Sequence, residues 1–96
     1  MKTFGTVVRE ARIARGLTLE KLARRIGSHK GYVSGFEQGK VSPPSIKILP
    51  KLARALELPP QELMALAWWE KRPKALTVEA AHALISRISE EGRVGA

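Results

Sequence analysis

Leu17-Thr18-Leu19-Glu20-Lys21-Leu22-Ala23-Arg24-Arg25-Ile26-Gly27-Ser28-His29-Lys30-Gly31-Tyr32-Val33-Ser34-Gly35-Phe36 reads as two short amphipathic helices hinged at Gly27. Thr18 is placed to cap the first helix, Leu22 and Ile26 fall on one face, and Ala23 is small enough for a close helix crossing. Gly27 supplies a left-handed turn that a side chain would resist. Beyond it Ser28 or His29 starts the second helix, whose Val33 and Phe36, three apart, point back into the same core. One polar face of that helix is left over.

Charge gives the leftover face a partner. The 96-residue chain carries a net +8, and residues 1–58 hold twelve Lys/Arg against four Glu, which is the whole excess. Residues 59–96 balance, five against five. A basic half beside a neutral half suggests a polyanion-binding head joined to a part with another task, although a basic surface also serves solubility. A hinged helix pair on the basic half is the minimal rigid device for laying a helix into the major groove of DNA.

Outward from the pair, the spacing predicts an all-α chain. A first helix runs from about Thr3 to Arg15, with Phe4, Val8 and Ala11 inward and Gly16 ending it. The paired helices cover about 19–26 and 29–37, and Gly39 with Ser42-Pro43-Pro44 makes a loop, since consecutive prolines extend the backbone. Ile48, Leu49, Leu52, Ala53 and Leu56 stripe a fourth helix. Ser45 looks like its cap, but Pro50 suits a first turn, so the regular helix is expected near Pro50 with 46–49 as an irregular turn. A fifth helix spans roughly Gln61 to Lys71, bringing Leu63, Leu66, Trp68 and Trp69. After Pro73, Thr77 can cap a last helix from Val78 to about Glu90, striped by Val78, Ala81, Leu84, Ile85 and Ile88.

Several functions lose ground at this point. No apolar run approaches membrane-spanning length and no signal-peptide pattern opens the chain, so a cytoplasmic protein without membrane contact is expected. With no Cys, neither disulfides nor thiolate metal sites can form. His29 and His82 lie far apart, Asp is absent, and no Gly-rich phosphate loop follows a strand. Glu90-Glu91 reads as a solvated helix end rather than a catalytic pair. No enzyme, cofactor or metal is therefore expected. The lack of Asn fits either a heat-adapted host or a GC-rich coding bias.

Arg9, Arg12, Gly16-Leu17-Thr18, Leu22-Ala23, Ile26-Gly27, Tyr32-Val33-Ser34, Phe36-Glu37, Gly39 and Pro43-Pro44 together resemble the Xre/Cro-type helix-turn-helix regulators of bacteria and their phages, over about residues 4–66. The resemblance implies a five-helix repressor-type bundle and a dimeric transcriptional regulator, usually a repressor, on double-stranded DNA. Some such proteins are antitoxins or phage switches. It also implies an ion pair between Arg12 and Glu37, tying the first helix to the end of the third without touching a base.

By the same resemblance, Lys30, Gly31, Ser34 and Gly35 occupy the positions that reach base edges, with Tyr32 flanking. Two of them have no side chain, a departure from relatives with Gln, Arg or Asn there. Lys30 can donate to guanine O6 and N7 or sit on a phosphate; Ser34 can meet a base edge or be a small polar filler; Tyr32 can reach a phosphate or pack the helix. Gly31 and Gly35 share a face and each sacrifices ~1 kcal/mol of helix propensity. Close approach of a bare helix face to the groove is the favoured reason, with tolerance by packing as the other. Phosphate contacts are expected at the start of the second helix, Thr18 and Leu19, and from Lys40 and Ser42 in the later loop. Relatives often place glutamine where Leu19 stands.

One recognition helix covers only a few base pairs, so a homodimer is expected across about one helical turn of DNA. Residues 1–66 are then the DNA-binding domain and 67–96 a helical extension for dimerisation or a protein partner, through Trp68, Trp69, Leu84, Ile85 and Ile88. The rival reading keeps the bundle and drops the groove-reading: a protein-interaction module, antitoxin-like, favoured by the glycines at reading positions.

Overall fold

A computed structural model describes residues 2–73 and 75–95, the last six of these as backbone alone. Its elements are α1 (Phe4–Ala14), α2 (Leu19–Arg25), α3 (Lys30–Glu37), α4 (Leu49–Leu56), α5 (Pro60–Lys71) and α6 (Val78–Gly95), with no strand among the described residues. Caps explain most of the starts. Thr3 and Thr18 turn their hydroxyls to the amides of Thr6 and Lys21, and Thr77 does the same for Ala80. α3 is capped by His29, whose Nδ1 accepts from Tyr32 N at 3.3 Å. Residues 46–48 form the irregular turn, and α4 starts at Leu49 with Pro50 in its first turn, where the missing amide costs nothing. α6 continues past Glu90, since one glycine at 92 costs ~1 kcal/mol and does not by itself stop a helix.

Helices α1 to α5 enclose one core. Phe4, Val8, Leu22, Val33, Phe36, Leu52 and Leu56 are fully or almost fully buried, joined by Ala23, Ile26, Leu63 and Ala67. Phe4 and Phe36 meet edge-on with centroids 5.9 Å apart, fastening α1 to α3. Gly5 allows that approach: a Cβ there would lie 2.4 Å from the carbonyl oxygen of Glu37. Pro44 is fully buried, so the proline loop is part of the packed interior, and Lys71 holds it by donating to its carbonyl at 2.7 Å.

Polar groups lock the termini. Arg12 Nε and Nη2 donate to the two Glu37 oxygens at 2.7 and 3.1 Å, and its Nη1 donates to Leu17 O at 2.9 Å. The Glu70 carboxylate accepts from Phe4 N, joining α5 to the positive end of α1. Arg15 reaches the last carbonyl of α4, at Leu56, and pairs with Glu57 at 2.8 Å. Glu57 itself ends α4 in a left-handed conformation, φ 54°, where glycine would be the usual choice.

α6 stands apart from this core. The structure is 56 Å long and only 23 Å wide, because the helix leaves the bundle instead of lying on it. Arg72 fixes the exit: its guanidinium stacks on the Trp69 ring at 3.5 Å and donates to Trp69 O and Leu76 O.

Arg12 and Glu37 side chains are only 13% and 5% exposed, so deleting one strands the other. Arg12→Ala should lower unfolding free energy by about 3 kcal/mol in a urea titration. A loss below ~0.5 kcal/mol, the scale of an exposed pair, would show that the fork is not a structural tie.

Candidate nucleic-acid interface

α3 is held at its inner side by Val33 and Phe36 and at its ends by His29 and by the Glu37–Arg12 fork. Its outer side carries Lys30 and Gly31, both exposed, then Ser34 and Gly35, both half-buried. The Ser34 hydroxyl accepts from Gln38 Nε2 at 2.9 Å, one turn on, which keeps its own hydrogen available for an outside acceptor. Tyr32 is half-buried, edge-on to Phe36 at 5.3 Å and tilted against His29 at 6.2 Å. Its ring packs α3.

The two glycines part company. At Gly31 an added Cβ would meet only the His29 ring, at an ordinary 3.5 Å. At Gly35 it would press on Val41 Cγ2 at 3.0 Å. The expectation of one bare face presented to a groove is therefore corrected for Gly35. The loop after α3 folds back there, with Lys40 N and Val41 N both donating to Gly35 O, and the missing side chain makes room for Val41. Only Gly31 is open.

Four of the candidate phosphate residues, Thr18, Leu19, Lys40 and Ser42, line two hollows at the two ends of α3, and Tyr32 lines neither. One, of about 450 Å³, is lined by Arg12, Thr18, Leu19, Glu20 and Lys30 and lies where α2 and α3 begin. Lys30, Thr18 and Leu19 thus meet in space although eleven or twelve residues apart in the chain. The Thr18 hydroxyl accepts from Lys21 N in capping and keeps its own hydrogen, Leu19 is half-buried against the core, and Glu20 on the rim opposes an anion. The second hollow, about 630 Å³, gathers Gln38, Lys40 and Ser42 beside Thr3, Thr6 and Arg72. Gln38 escaped the sequence reading; its spacing of four from Ser34 was the available signal. Among the described residues no group of three or more His, Cys or acidic side chains could hold a metal ion, and no helix is long and apolar enough to cross a membrane. Glu90 and Glu91 side chains lie outside the described residues.

The tryptophans also separate. Trp68 is 59% exposed, whereas Trp69 is half-buried with Arg72 across its face. Trp69 therefore belongs to the exit of α6 rather than to an open apolar surface, and Leu63, grouped with it by spacing, is core.

Comparison with known proteins matches residues 8–63 to the helix-turn-helix family model. An uncharacterized HTH-type transcriptional regulator, RghRB of Bacillus subtilis, is 40% identical over 67 residues, 70% of this chain. The chain spans about half, 48%, of that relative's length. Among solved structures, the restriction-modification controller protein C.AhdI from Aeromonas hydrophila is 43% identical with TM-score 0.57, covering 62% of this chain and 89% of that one. The N-terminal DNA binding domain of SinR from Bacillus subtilis is 30% identical with TM-score 0.57, covering 64% and 88%.

The differing surroundings of the glycines set opposite expectations. Gly31→Ala should raise stability by ~1 kcal/mol through helix propensity. Gly35→Leu should lower it by about 1–3 kcal/mol by overpacking Val41. Paired thermal melts decide: a Gly35→Leu protein as stable as the parent would mean that Val41 is not what excludes a side chain.

Proposed function

The chain belongs to the helix-turn-helix family of Xre/Cro type, and from that premise we propose that it is a DNA-binding transcriptional regulator, acting as a repressor and as a homodimer. The observation that carries this is the open start of α3, with Lys30 and Gly31 exposed and Lys30 lining the same hollow as Thr18 and Leu19, while Lys40 and Ser42 line a second hollow at the far end of α3. Support comes from the relatives as well, since a SinR domain of matching fold is a DNA binding domain.

In this reading α3 enters the major groove by its N-terminal half. Lys30 donates to a guanine edge or an adjacent phosphate, and Ser34 offers its hydroxyl hydrogen one turn later. Gly31 lets the backbone come near the base edges. Gly35 acts indirectly, by seating the loop that carries Lys40 and Ser42 towards the other strand's phosphates. Thr18 and Leu19 contribute their backbone positions at the start of α2. Residues 1–66 form the DNA-binding unit and 67–96 the extension, and the protein works in the cytoplasm without enzymatic chemistry.

With one long cation on the reading face and twelve Lys/Arg in residues 1–58, electrostatics supplies a large share of affinity. Each neutralised phosphate contributes about −0.9 to the slope of log K against log salt. Selection from random duplex DNA should return a two-fold symmetric sequence with half-sites about one helical turn apart. Lys30→Ala should weaken binding about tenfold or more. A chain that ignores duplex DNA even in dilute buffer would refute the reading and favour the interaction module, which the shortage of long side chains on α3 otherwise supports.

A further inference from the structure

The chain presents two apolar surfaces that do not cover each other. The first is a groove of about 480 Å³ beside α4 and α5, lined chiefly by Ile46, Leu49, Met64, Ala65 and Trp68. Ile46 and Trp68 on its walls are 68% and 59% exposed. The second is the stripe on α6, where Leu84 and Ile85 are 54% and 63% exposed and Val78 and Ile88 continue the face. Among the described residues, none of α6 lines the groove, so α6 leaves it open in its own chain.

We propose that α6 is an exchange arm: in a dimer, each α6 lays its Val78–Leu84–Ile85–Ile88 stripe into the Ile46–Trp68 groove of a second copy of this chain. The inference rests on the homodimer reading and specifies how that dimer is built. Area supports it. The chain exposes 6899 Å², whereas a compact monomer of 10.6 kDa should expose only about 5,500 Å². The excess, about 1,400 Å², is more than the ~800 Å² per partner that a standard stable interface buries. Shape says the same, since the radius of gyration is 17.1 Å, against about 12.5 Å for a compact chain of this length. At 1.5 Å per residue the 18-residue helix is about 27 Å long, enough to traverse a groove between two helices of a neighbour.

Charge selects the same occupant. Residues 78–95 contain three Glu against two Arg, while the head carries the full net +8. Arm and head attract, and arm with arm does not. Pairing α6 with α6 would also leave both grooves open, with Trp68 and Ile46 in water. Reciprocal exchange covers stripe and groove together, in a closed two-fold assembly.

The test is complementation between full-length variants, measured by light scattering across a wide concentration range. Ile85→Glu disables the arm and spares the groove; Trp68→Glu does the converse. Both sites are exposed, so each variant should keep the cooperative melt of a folded head, shifted only by the lost association; Leu84→Lys and Ile46→Lys replace either variant that does not. The parent should be dimeric and each variant at least tenfold weaker. Their equimolar mixture should recover a dimer, because the Trp68→Glu arm fits the intact Ile85→Glu groove. Dimerisation of Trp68→Glu at parental strength, a mixture no stronger than its components, or a parent monomeric throughout would each overturn the exchange. A monomeric parent that still selects a duplex sequence would leave DNA reading standing, and a dimer that ignores DNA would do the reverse.

Discussion

One guanidinium joins three parts of the bundle. Arg12 projects from α1, takes both carboxylate oxygens of Glu37 at the end of α3, and uses its remaining nitrogen on the Leu17 carbonyl that precedes α2. A planar fork with five donors can make these bonds at once; a lysine in its place would offer a point charge and lose the geometry. The net worth of such a buried pair against a well-packed apolar substitute is small. Its contribution is registration. α3 cannot slide or roll against α1 without breaking the fork, and the Phe4–Phe36 contact and the bare Gly5 beside it demand the same register.

What could be read from the chain was mostly local. Thr18, Leu22, Ala23 and Gly27 dictate the helix pair through capping, packing and a left-handed turn, and these depend on neighbours a few residues away. Pro50 likewise set the start of α4, since the restriction it imposes is covalent. Where the sequence pattern misleads, the deciding partner is distant or on another element. Gly35 resembled Gly31 by spacing, yet Val41 returns to fill the place of its side chain. Trp68 and Trp69 are adjacent, and only Arg72 distinguishes them. Pro44, expected in a loop, is both looped and buried, because its carbonyl has a donor in Lys71. Of the interface, the cations and their gathering on one half were legible; their division between two hollows was not, since it needs the crossing of α2 and α3.

The molecule divides its physics between its halves. The head is small, basic and closed around an aromatic and aliphatic core, and the contacts proposed for it on a duplex are mostly of the kind that salt weakens. The extension is nearly neutral and presents apolar side chains, an attraction that salt does not screen. Arg72 stands at the junction and holds the two in a set relation through Trp69. In the proposed dimer, rising ionic strength would loosen the hold on DNA while the two subunits stay together.

The imidazole that begins α3 has a consequence for the surface that α3 presents. Because His29 Nδ1 accepts from the Tyr32 amide, that nitrogen keeps a lone pair, and in the neutral ring the hydrogen must reside on Nε2. The tautomer is thus chosen by the cap. The exposed ring therefore offers the solvent side of the helix start a donor, next to Lys30, rather than an acceptor.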